Sequence, residues 1–531
     1  MLSRVQSYIL TGIDASVCEI EVDFDDRGID KQQVVGLPDA AVKESVERVR
    51  AAVTNSGYRF PYGKLLINLA PADVRKEGPT YDLPIAVGAL ICDGTVRPRT
   101  GSMRDGGDDD AGLDHRRYLF AGELALDGRL RPIRGAIAMA ALARERGLAG
   151  VVLPAANAEE AAVVDGVESI GVRTLSELVG LLNGAIEARP CPPVDVASLL
   201  EHAQASVDFA DVRGQETVKR AITIAAAGHH NLLMLGPPGT GKTMMAKALP
   251  GVMPPLTTEE ALEVTRIYSA AGATSGSSNG ANVAGGRHGL VTVRPVRSPH
   301  HTASMPAMIG GGPMPRPGEV SLAHRGVLFL DELPEFPRPV LETLRQPLED
   351  RHVTISRASA KLRFPASFML VAAMNPTPKG TMPGKDDAYA RREMERYLSR
   401  ISGPLIDRID IHVEAPAVPW KQLSGRHEGA KGRSSADIRA EVLAARERQR
   451  ARQGDAPNAL LSGKDLDRLA PLSDDARAML GAAMGELGLS ARAYDKIRRV
   501  SRTIADLASA PDVTADHVAE AIQYRLLDRN V

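Results

Sequence analysis

Eight consecutive residues constrain the fold of this chain more than any other stretch: Gly236-Pro237-Pro238-Gly239-Thr240-Gly241-Lys242-Thr243. They follow an apolar run, Leu232–Leu235, and precede a helix-compatible segment, Met244–Leu249. Glycines reach positive φ and carry no side chain, so consecutive backbone N–H groups can point at phosphate oxygens. Lys242 can then reach the outer phosphates, and Thr243 can offer its hydroxyl to Mg²⁺ at the positive end of the helix. The pattern predicts a nucleotide-binding loop between a strand and a helix; a flexible Gly/Pro loop is the alternative.

Two further apolar runs end in polar residues suited to the same site. Asp331 and Glu332 follow Gly326–Leu330, and Asn375 follows Phe368–Met374. Such all-apolar runs are typical of strands that are buried on both faces. Asp331 can hold Mg²⁺, Glu332 can polarise the water that attacks the γ-phosphate, and the Asn375 amide can contact that phosphate. We therefore expect residues 236–243 and Asp331 to bind ATP, Thr243 and Asp331 to hold Mg²⁺, and Glu332 and Asn375 to act in hydrolysis.

The length and charge of the chain limit the classes of protein it can belong to. Its 531 residues exceed what one hydrophobic core supports and favour about three domains. The formal net charge is −1, so contact with a polyanion requires a local basic patch. No apolar run approaches the roughly 20 residues of a membrane span, and the first residues lack a secretory pattern. We expect a soluble cytoplasmic protein without membrane contact, whose three cysteines form neither a CxxC pair nor a disulfide framework.

The sequence patterns predict a multidomain α/β protein. Residues 1–185 mix strand and helix patterns around a Gly/Asp-rich insertion at about 100–117, which we expect to be disordered. A proline-bearing linker over 186–206 precedes the nucleotide-binding core over 207–420. A polar linker over 421–434 leads to helical periods over 435–531, with Ser435 predicted to cap the first helix. We expect these last helices to form a lid.

One local basic patch lies between the second and third apolar runs, at Arg351–Ala366. Apolar and polar residues alternate on both sides of a small-residue turn, as in a β-hairpin, and the segment contains no acidic residue. Its cations, Arg351, Arg357, Lys361 and Arg363, would suit a phosphate backbone without reading bases. We expect Arg357, Lys361 and Arg363 to contact DNA; a solvated edge hairpin, which also favours charged residues, is the alternative.

A histidine pair, His300 and His301, invites a metal interpretation. Adjacent side chains diverge in direction, and no third ligand lies nearby in the sequence. The pattern therefore favours a role without metal.

Two arginines lie in segments that resemble AAA+ ATPases. Gly403-Pro404-Leu405-Ile406-Asp407-Arg408-Ile409-Asp410 resembles the arginine-finger segment, and Leu489-Ser490-Ala491-Arg492-Ala493-Tyr494 resembles the second sensor. The resemblance implies that Arg408 reaches the γ-phosphate of a neighbouring subunit and spreads transition-state charge, and that Arg492 contacts phosphate. Arg400 is the alternative finger, and a surface salt bridge is the alternative role for both Arg408 and Arg400.

The first domain resembles the proteolytic domain of Lon-type ATP-dependent proteases, at Lys76-Glu77-Gly78-Pro79-Thr80 and Gly122–Gly135. That family uses a Ser–Lys dyad, in which a lysine of depressed pKa activates the serine hydroxyl. Matched motif to motif, the nucleophile falls at Thr80 and the lysine at Ile137, and isoleucine cannot accept a proton. We expect a Lon-like α+β domain that serves as a platform and lacks proteolytic activity.

These motifs in this order resemble the ComM family, also called YifB or magnesium chelatase-like AAA ATPases. Pro299-His300-His301, Gly318–His324 and Ser402–Arg408 extend the match over nearly the whole chain. The resemblance implies a Lon-like N-terminal domain, an AAA+ core of the helix-2-insert type and a helical C-terminal domain. It also implies homo-hexameric rings that move DNA branches during uptake and recombination.

The chain departs from this family after Asn375, where members usually carry several cysteines in a pattern that suggests zinc. Asn375–Gly384 contains no cysteine, so we expect no zinc there. The first functional hypothesis is a ring-forming DNA motor, a branch-migration helicase that hydrolyses ATP with Mg²⁺. The alternatives are the motor subunit of a magnesium-chelatase-type complex acting on a protein partner, and an ATP-dependent protease.

Overall fold

The computed structural model describes residues 1–97, 112–273, 289–312, 315–356, 361–377, 388–417, 432–525 and 527. These residues form two compact units. The first comprises 1–199 together with 261–273 and 289–291, and the second comprises 200–260 and the described residues from 292 onward. Among the helices within these ranges, none is both long enough and apolar enough to cross a bilayer.

Up to residue 201, short strands and helices are mixed along the chain. In chain order they are β1 (Leu2–Thr11), β2 (Asp14–Asp25), β3 (Lys31–Val35), α1 (Ala40–Asn55), β4 (Lys64–Ala70), α2 (Asp82–Cys92), β5 (Tyr118–Phe120), β6 (Glu123–Leu124), β7 (Leu130–Arg131), α3 (Ala136–Glu145), β8 (Gly150–Pro154), α4 (Ala155–Ala161), β9 (Glu168–Val172), α5 (Leu175–Leu182) and α6 (Val196–Glu201).

The first unit contains a four-stranded sheet with the order β1-β2-β4-β3 and a three-stranded parallel sheet with the order β5-β8-β9. Strands β1 and β2 are antiparallel, with Leu2 opposite Asp23 and Thr11 opposite Asp14. Alternate residues of β2 are buried, because one face of this sheet packs against α1 and α2. The alternation places Cys18 in the core as a free thiol.

The predicted disordered insertion extends too far at its C-terminal end. Residues 98–111 lie outside the described part of the chain, but residues 112–117 are ordered. The Leu113 N–H donates to the Leu181 carbonyl at 3.0 Å, and the Leu113 side chain packs against the core. Asp114 caps a 3₁₀ turn, His115–Arg117, that leads into β5. Leu113 and the turn capped by Asp114 therefore return the chain to the core.

The elements after residue 201 continue in chain order. Among them, helix α9 begins in the second unit and continues in the first, and the elements from β11 onward belong to the second unit. The elements are α7 (Glu216–Gly228), β10 (Leu232–Leu235), α8 (Lys242–Ala248), α9 (Thr258–Ala271), β11 (Val296–Arg297), α10 (Met305–Ile309), β12 (Gly310–Gly311), β13 (Arg316–Pro317), α11 (Glu319–Leu322), β14 (Val327–Leu330), α12 (Arg338–Thr343), α13 (Arg345–Asp350), β15 (His352–Ser356), β16 (Lys361–Pro365), β17 (Met369–Met374), α14 (Ala388–Leu398), α15 (Gly403–Ile406), β18 (Ile411–Glu414), α16 (Ser435–Gln453), α17 (Gly463–Leu469), α18 (Asp474–Leu487), α19 (Ala491–Leu507) and α20 (Ala515–Gln523).

Five parallel strands of the second unit form a sheet with the order β11-β14-β17-β10-β18. Every residue of β10, β14 and β17 is buried, which explains why their sequences are continuously apolar. Parallel neighbours require crossover connections, and α7 is one of the helices that pack against these strands in a common core. The carboxyl ends of the three central strands therefore lie at one edge of the sheet.

The helix α16 begins one residue earlier than predicted, because its cap is Ser434 and not Ser435. The Ser434 hydroxyl accepts the Asp437 N–H at 3.2 Å, and the Asp437 carboxylate accepts the Ser434 N–H at 3.2 Å, which completes a capping box. The Ser435 hydroxyl instead accepts the Phe209 N–H at 2.8 Å. Ser434 thus caps the helix, and Ser435 attaches the start of the helix to the core.

Candidate functional site

The candidate site is built at the carboxyl ends of β10, β17 and β14. Leu235, the last residue of β10, pairs with Met374, and Asn375 follows Met374 directly. The Gly236 N–H donates to the Met374 carbonyl at 3.1 Å. On the other side of β17, Leu330 at the end of β14 pairs with Ala372. The sheet register thus brings the predicted phosphate loop, the Asp331-Glu332 pair and Asn375 to one edge.

Glycines in the phosphate loop are required by close approach and by backbone conformation. A Cβ on Gly236 would lie 2.2 Å from the Ala415 carbonyl oxygen, so a larger residue would separate the loop from the end of β18. Gly239 and Gly241 have φ values of 81° and 86°, which other residues adopt only with strain. The same loop includes Pro237, Pro238 and Thr240, and the Thr240 hydroxyl donates to the Pro237 carbonyl at 3.1 Å. The result is a compact loop without side chains at the positions nearest a phosphate.

Lys242 lies across this loop and is only 7% exposed. Its Nζ donates to the Gly236 carbonyl at 2.7 Å and to the Pro237 carbonyl at 2.9 Å, and lies 3.4 Å from Asn375 Oδ1. Burial lowers the pKa of the Lys242 ammonium, and the nearby Asp331 and Glu332 carboxylates oppose that shift. A desolvated cation held by weak carbonyl acceptors has a strong preference for an anion, so its surroundings fit the outer phosphates of a nucleotide.

Thr243 and Asp331 supply the oxygen ligands that a magnesium ion prefers. The Thr243 hydroxyl donates to Asp331 Oδ2 at 2.8 Å, and Asp331 Oδ1 accepts the Glu332 N–H at 3.0 Å. One hydroxyl and one carboxylate suit Mg²⁺, which keeps most of its waters and is bound together with substrate phosphates. These two side chains would hold the ion, and the ion would neutralise phosphate charge.

Glu332 projects from a bend at the end of β14. Its φ of 52° is unusual for a residue with a side chain, and its carboxyl group is half exposed. His301 Nδ1 lies 3.5 Å from Glu332 Oε2, and the His301 ring packs on His300 with a centroid distance of 4.1 Å. His301 thus faces the predicted water-activating carboxylate. Within the described ranges, no group of three or more His, Cys, Asp or Glu side chains is placed so that it could hold a metal ion.

The two candidate arginine fingers are both held by carboxylates of their own chain. Arg408 donates to the Pro404 carbonyl at 2.6 Å and pairs with Glu349, and its side chain is 13% exposed. Arg408 Nε is buried and finds no hydrogen-bond partner among the described residues. Arg400 donates to both carboxylate oxygens of Glu335, at 3.0 and 3.1 Å. In the single chain, both guanidinium groups are paired with carboxylates. To act on the nucleotide of a neighbouring subunit, Arg408 would have to leave Glu349 and bind a phosphate.

The predicted sensor residue Arg492 lies at the start of α19 and is 69% exposed. Its Nη1 lies 3.7 Å from Asp407 Oδ2, the carboxylate adjacent to Arg408 in the sequence. The structure therefore places Arg492 next to the turn that carries the candidate finger Arg408.

Three residues around the site are absent from the predicted set. Gln215, with a φ of 62°, donates to the Pro416 carbonyl at 2.7 Å and the Thr240 carbonyl at 3.3 Å, which fixes the back of the phosphate loop. A Gly-Gln pair just before a helix is the sequence signal that could have indicated it. His301 had a signal in its histidine pair, whereas Glu349 had none, because the contact with Arg408 depends on tertiary structure.

The predicted DNA-contact residues lie on a hairpin made of β15 and β16. Ser356 pairs with Lys361 and Thr354 pairs with Arg363. Val353, Ile355, Leu362 and Phe364 are buried on one face, whereas Lys361 and Arg363 are exposed on the other. Arg357 lies outside the described residues. Arg351 does not belong to the exposed face: it ends α13 with a φ of 58°, and burial lowers its pKa.

The Lon-like positions of the first unit are described separately from this site. Thr80 lies in a 3₁₀ turn, Pro79–Tyr81, and its carbonyl accepts the Gly122 N–H at 2.9 Å. Ile137 is buried in α3 and is 1% exposed. The buried Lys76 donates to the Pro71 carbonyl, and burial lowers its pKa.

Comparison with known proteins agrees with this geometry. Three family models match, described as "Magnesium chelatase, subunit ChlI" over residues 208–423, "Subunit ChlI of Mg-chelatase" over 20–157, and "Magnesium chelatase, subunit ChlI C-terminal" over 432–525. The chain is 42% identical over 530 residues to the "Competence protein ComM" of Haemophilus influenzae, covering 99% of this chain and 98% of that protein. The "Uncharacterized protein YifB" of Salmonella typhimurium matches with the same identity and coverage. Lon protease 2 of Bacillus subtilis is 29% identical over 159 residues, 28% of this chain and 26% of that protein.

The mixed α/β architecture, the site and these matches define an AAA+ ATPase of the magnesium chelatase-like class, which uses ATP and Mg²⁺. Within that class, the chain belongs to the ComM/YifB family.

Proposed function

We propose that the protein is a ring-forming DNA motor, a branch-migration helicase that couples ATP hydrolysis to the movement of branched or single-stranded DNA in uptake or recombination. The observation that carries the proposal is the hairpin, where Lys361 and Arg363 lie exposed on a face without acidic residues, in the same unit as the nucleotide site. The relative named as a competence protein supports a role in DNA uptake.

The residues of the site have separate tasks in ATP hydrolysis. The phosphate loop and Lys242 bind and orient the triphosphate, and Thr243 with Asp331 holds Mg²⁺. Glu332 accepts a proton from the attacking water, and Asn375, beside Lys242, aligns the γ-phosphate with that water. Arg492 contacts phosphate from the helical lid. All of these roles except that of Arg492 explain why the side chains lie at the shared edge of the sheet.

Arg408 completes the site of the next subunit in a homo-hexamer. A guanidinium that approaches the γ-phosphate from a neighbouring chain stabilises transition-state charge and accelerates hydrolysis by about 10³- to 10⁵-fold in well-studied phosphoryl-transfer enzymes. Because the same arginine pairs with Glu349 in the single chain, assembly and ATP binding must compete with that ion pair. Hydrolysis is thereby restricted to assembled rings.

The hairpin contacts DNA through phosphates and therefore without sequence preference. Each lysine or arginine that neutralises a phosphate contributes about 0.7 to 0.9 to the slope of log affinity against log salt. Several subunits of a ring would multiply this small contribution. Arg357 belongs to the same proposed contact set, although it lies outside the described residues.

The remaining assignments follow from the same proposal. Residues 1–185 form a Lon-like platform domain, in which Thr80 lacks a base because Ile137 occupies the position of the lysine. Residues 186–206 and 421–434 are linkers around the AAA+ core at 207–420, which is of the helix-2-insert type, and 435–531 is the lid. The protein acts in the cytoplasm and requires no zinc.

A second candidate function is the motor subunit of a magnesium-chelatase-type complex that acts on a protein partner. The specific observation in its favour is that all three family models carry the description of a magnesium chelatase subunit. The full-length relative named as a competence protein and the basic hairpin favour the DNA motor.

Unwinding of a labelled four-way junction with ATP tests the proposal directly. We expect ATP-dependent strand separation and stimulation of ATP turnover by forked DNA, and neither with Lys242→Ala. An ATP-hydrolysing preparation that neither unwinds junctions nor responds to DNA would exclude the DNA motor. Stimulation of that preparation by a protein partner alone would support the second candidate.

A further inference from the structure

Four arginines and a histidine of the second unit come together at the edge of the sheet opposite the phosphate loop. This arginine cluster consists of His229, Arg294, Arg325, Arg351 and Arg446. The first three precede β10, β11 and β14 by two or three residues, whereas the phosphate loop follows β10. Because parallel strands start at one edge of a sheet and end at the other, the cluster is separate from the nucleotide site.

Arg294 and Arg325 share one carboxylate. Arg294 Nη2 lies 2.8 Å from Glu260 Oε2, and Arg325 Nη1 lies 3.4 Å from Glu260 Oε1. Arg294 Nη1 also donates to the Arg325 carbonyl at 2.6 Å, and the Arg294 side chain is only 10% exposed. The Glu260 carboxylate is therefore already used by two guanidinium groups.

Arg351 lies beside Arg325 but has no carboxylate. The Arg351 carbonyl accepts the Ala366 N–H at 2.8 Å, and the Arg325 N–H donates to the carbonyl of the next residue, Ser367, at 2.7 Å. Burial lowers the pKa of the Arg351 guanidinium, and Arg325 lowers it further. Among the residues that the structure describes, none forms a hydrogen bond or an ion pair with the Arg351 side chain.

Arg446 approaches the cluster from the helix α16. Its Nη1 lies 3.4 Å from Gln449 Oε1, and Gln449 Nε2 donates to the carbonyl of Ala227 in α7 at 3.0 Å. Burial and the neighbouring Arg294 lower the pKa of the Arg446 guanidinium to about 10, and Glu260 opposes that shift. Over the described ranges, no carboxylate forms an ion pair with Arg446.

Three members of the cluster have a strained backbone. His229, Arg325 and Arg351 have φ values of 59°, 58° and 58°, which are uncommon for residues with a side chain. Such strain is frequent at ligand sites, where the surrounding structure maintains it. Burial lowers the pKa of the His229 imidazole well below its ordinary value, and neighbouring arginines of the cluster lower it further. A neutral imidazole can donate a hydrogen bond to an anion without adding to the repulsion.

The free energy of this arrangement favours a bound anion. A guanidinium that has lost part of its water is costly to keep unless an anion compensates it. Arg351 and Arg446 have lost part of their water and face other cations, but neither has a carboxylate partner in the described chain. Guanidinium groups bind phosphate oxygens strongly, through planar pairs of N–H donors.

We propose that the arginine cluster binds a phosphate group, at a site distinct from the one that holds the nucleotide. The phosphate comes from one of two sources with the same chemistry, the backbone of DNA or a free phosphate compound. The inference goes beyond the proposed function and does not depend on it, because binding at this site requires neither ATP hydrolysis nor movement of DNA.

Equilibrium dialysis with radiolabelled inorganic phosphate tests the site in Lys242→Ala, whose nucleotide site lacks its main phosphate-binding cation. We expect one phosphate per chain. Adding Arg446→Gln should weaken its binding by about tenfold or more, because a charge-assisted hydrogen bond is lost. Arg351→Gln should act in the same way and replaces Arg446→Gln if that variant does not fold. The matched control is Arg450→Gln, which changes a mostly exposed arginine on the same helix and should leave phosphate binding unchanged.

Thermal unfolding separates binding from packing. Without phosphate, Arg446→Gln should unfold at the same temperature as its parent or higher, because repulsion from Arg294 is removed. Added phosphate should raise the midpoint of the parent more than that of the variant. A lower midpoint without phosphate, together with unchanged phosphate affinity, would mean that Arg446 serves only packing and would overturn the inference.

Fluorescence anisotropy with labelled single-stranded DNA identifies the source. Weaker DNA binding by Arg446→Gln than by wild type, with competition by inorganic phosphate, would assign the site to the DNA backbone. Lost phosphate binding with unchanged DNA affinity would assign it to a free phosphate compound. No phosphate binding by Lys242→Ala, together with equal DNA affinity of Arg446→Gln and wild type, would overturn the inference. The four-way-junction assay tests the proposed function separately, so either can fail without the other.

Discussion

The Thr243 hydroxyl lies 2.8 Å from the Asp331 carboxylate, although the two residues are 88 positions apart in the sequence. Thr243 is the second residue of α8, and Asp331 directly follows the strand β14. The Thr243 hydroxyl oxygen and the two Asp331 carboxylate oxygens therefore lie close together, near Lys242. This arrangement is the structural basis for the expected magnesium site.

Asp331→Asn should reduce ATP turnover by about 100-fold or more and raise the Mg²⁺ concentration needed for half-maximal rate. An amide keeps the hydrogen bond to Thr243 but removes the negative charge that holds the ion. A magnesium titration of steady-state turnover measures both effects. Thr243→Ser keeps the hydroxyl and should behave nearly as wild type; an unchanged magnesium requirement in Asp331→Asn would exclude this site.

Lys242→Ala and Glu332→Gln should both abolish turnover, but only Lys242→Ala should greatly weaken ATP binding. Binding needs the cation across the phosphate loop, whereas turnover also needs a carboxylate that accepts a proton. Fluorescent-nucleotide binding measured beside turnover separates the two roles. Comparable loss of binding in both variants would mean that Glu332 contributes to the phosphate site and not mainly to activation of water.

Arg408→Ala should bind ATP normally and hydrolyse it about 10³-fold more slowly, because the guanidinium acts on transition-state charge. Arg408→Lys should restore little, since a lysine lacks the planar fork. Arg400→Ala, which removes the pair with Glu335 and the contact with the Tyr397 ring, is the matched control and should retain most turnover. If Arg400→Ala is the slower variant, the two arginines have been assigned in the wrong order.

Charge reversal at Lys361 and Arg363 should remove DNA stimulation and leave basal ATP turnover unchanged. Both side chains are exposed on the hairpin, and reversal replaces attraction to phosphates by repulsion. The matched control is Arg477→Glu, which reverses an exposed arginine on α18 and should not affect stimulation. Stimulation measured at several salt concentrations should lose its salt dependence together with its magnitude.

Asp410→Asn should destabilise the protein at pH 7, and the difference from wild type should shrink as the pH falls below about 4. Burial alone would raise the pKa of the Asp410 carboxyl. His230, Lys496 and the backbone N–H of Asn231 instead hold this pKa below its ordinary value of 3.8. A depressed folded-state pKa stabilises the native state above the unfolded value and loses that contribution on acidification. Unfolding midpoints of both proteins between pH 3 and pH 7 measure this; a constant difference across that range would contradict it.

The strand ends around the nucleotide could be predicted from the sequence, because each is an apolar run followed by a chemically specific residue. Leu232–Leu235 and Phe368–Met374 had to be buried strands, and parallel buried strands end at one edge. The hairpin was predictable for a related reason, since its alternation matches the period of a strand. Local pattern and tertiary structure agree at these positions.

Contacts between distant side chains could not be predicted, because no local pattern records them. The pairing of Arg408 with Glu349 and of His301 with Glu332 depends on how neighbouring elements pack. Asp437, three residues after Ser434, is a capping-box signal that the prediction of Ser435 missed, and the Phe209 N–H, which occupies the Ser435 hydroxyl, depends on tertiary structure. Arg351 looked like part of the basic face, but it ends α13 and is partly buried.

The short strand β18 has a mechanical consequence. It begins directly after the turn that carries Arg408, and it is followed by Ala415 and Pro416, which contact Gly236 and Gln215. Four residues of extended backbone span only about 13 Å. Arg408 and the phosphate loop therefore lie at opposite ends of one short, rigid strand, so neither can shift along the strand axis without displacing the other.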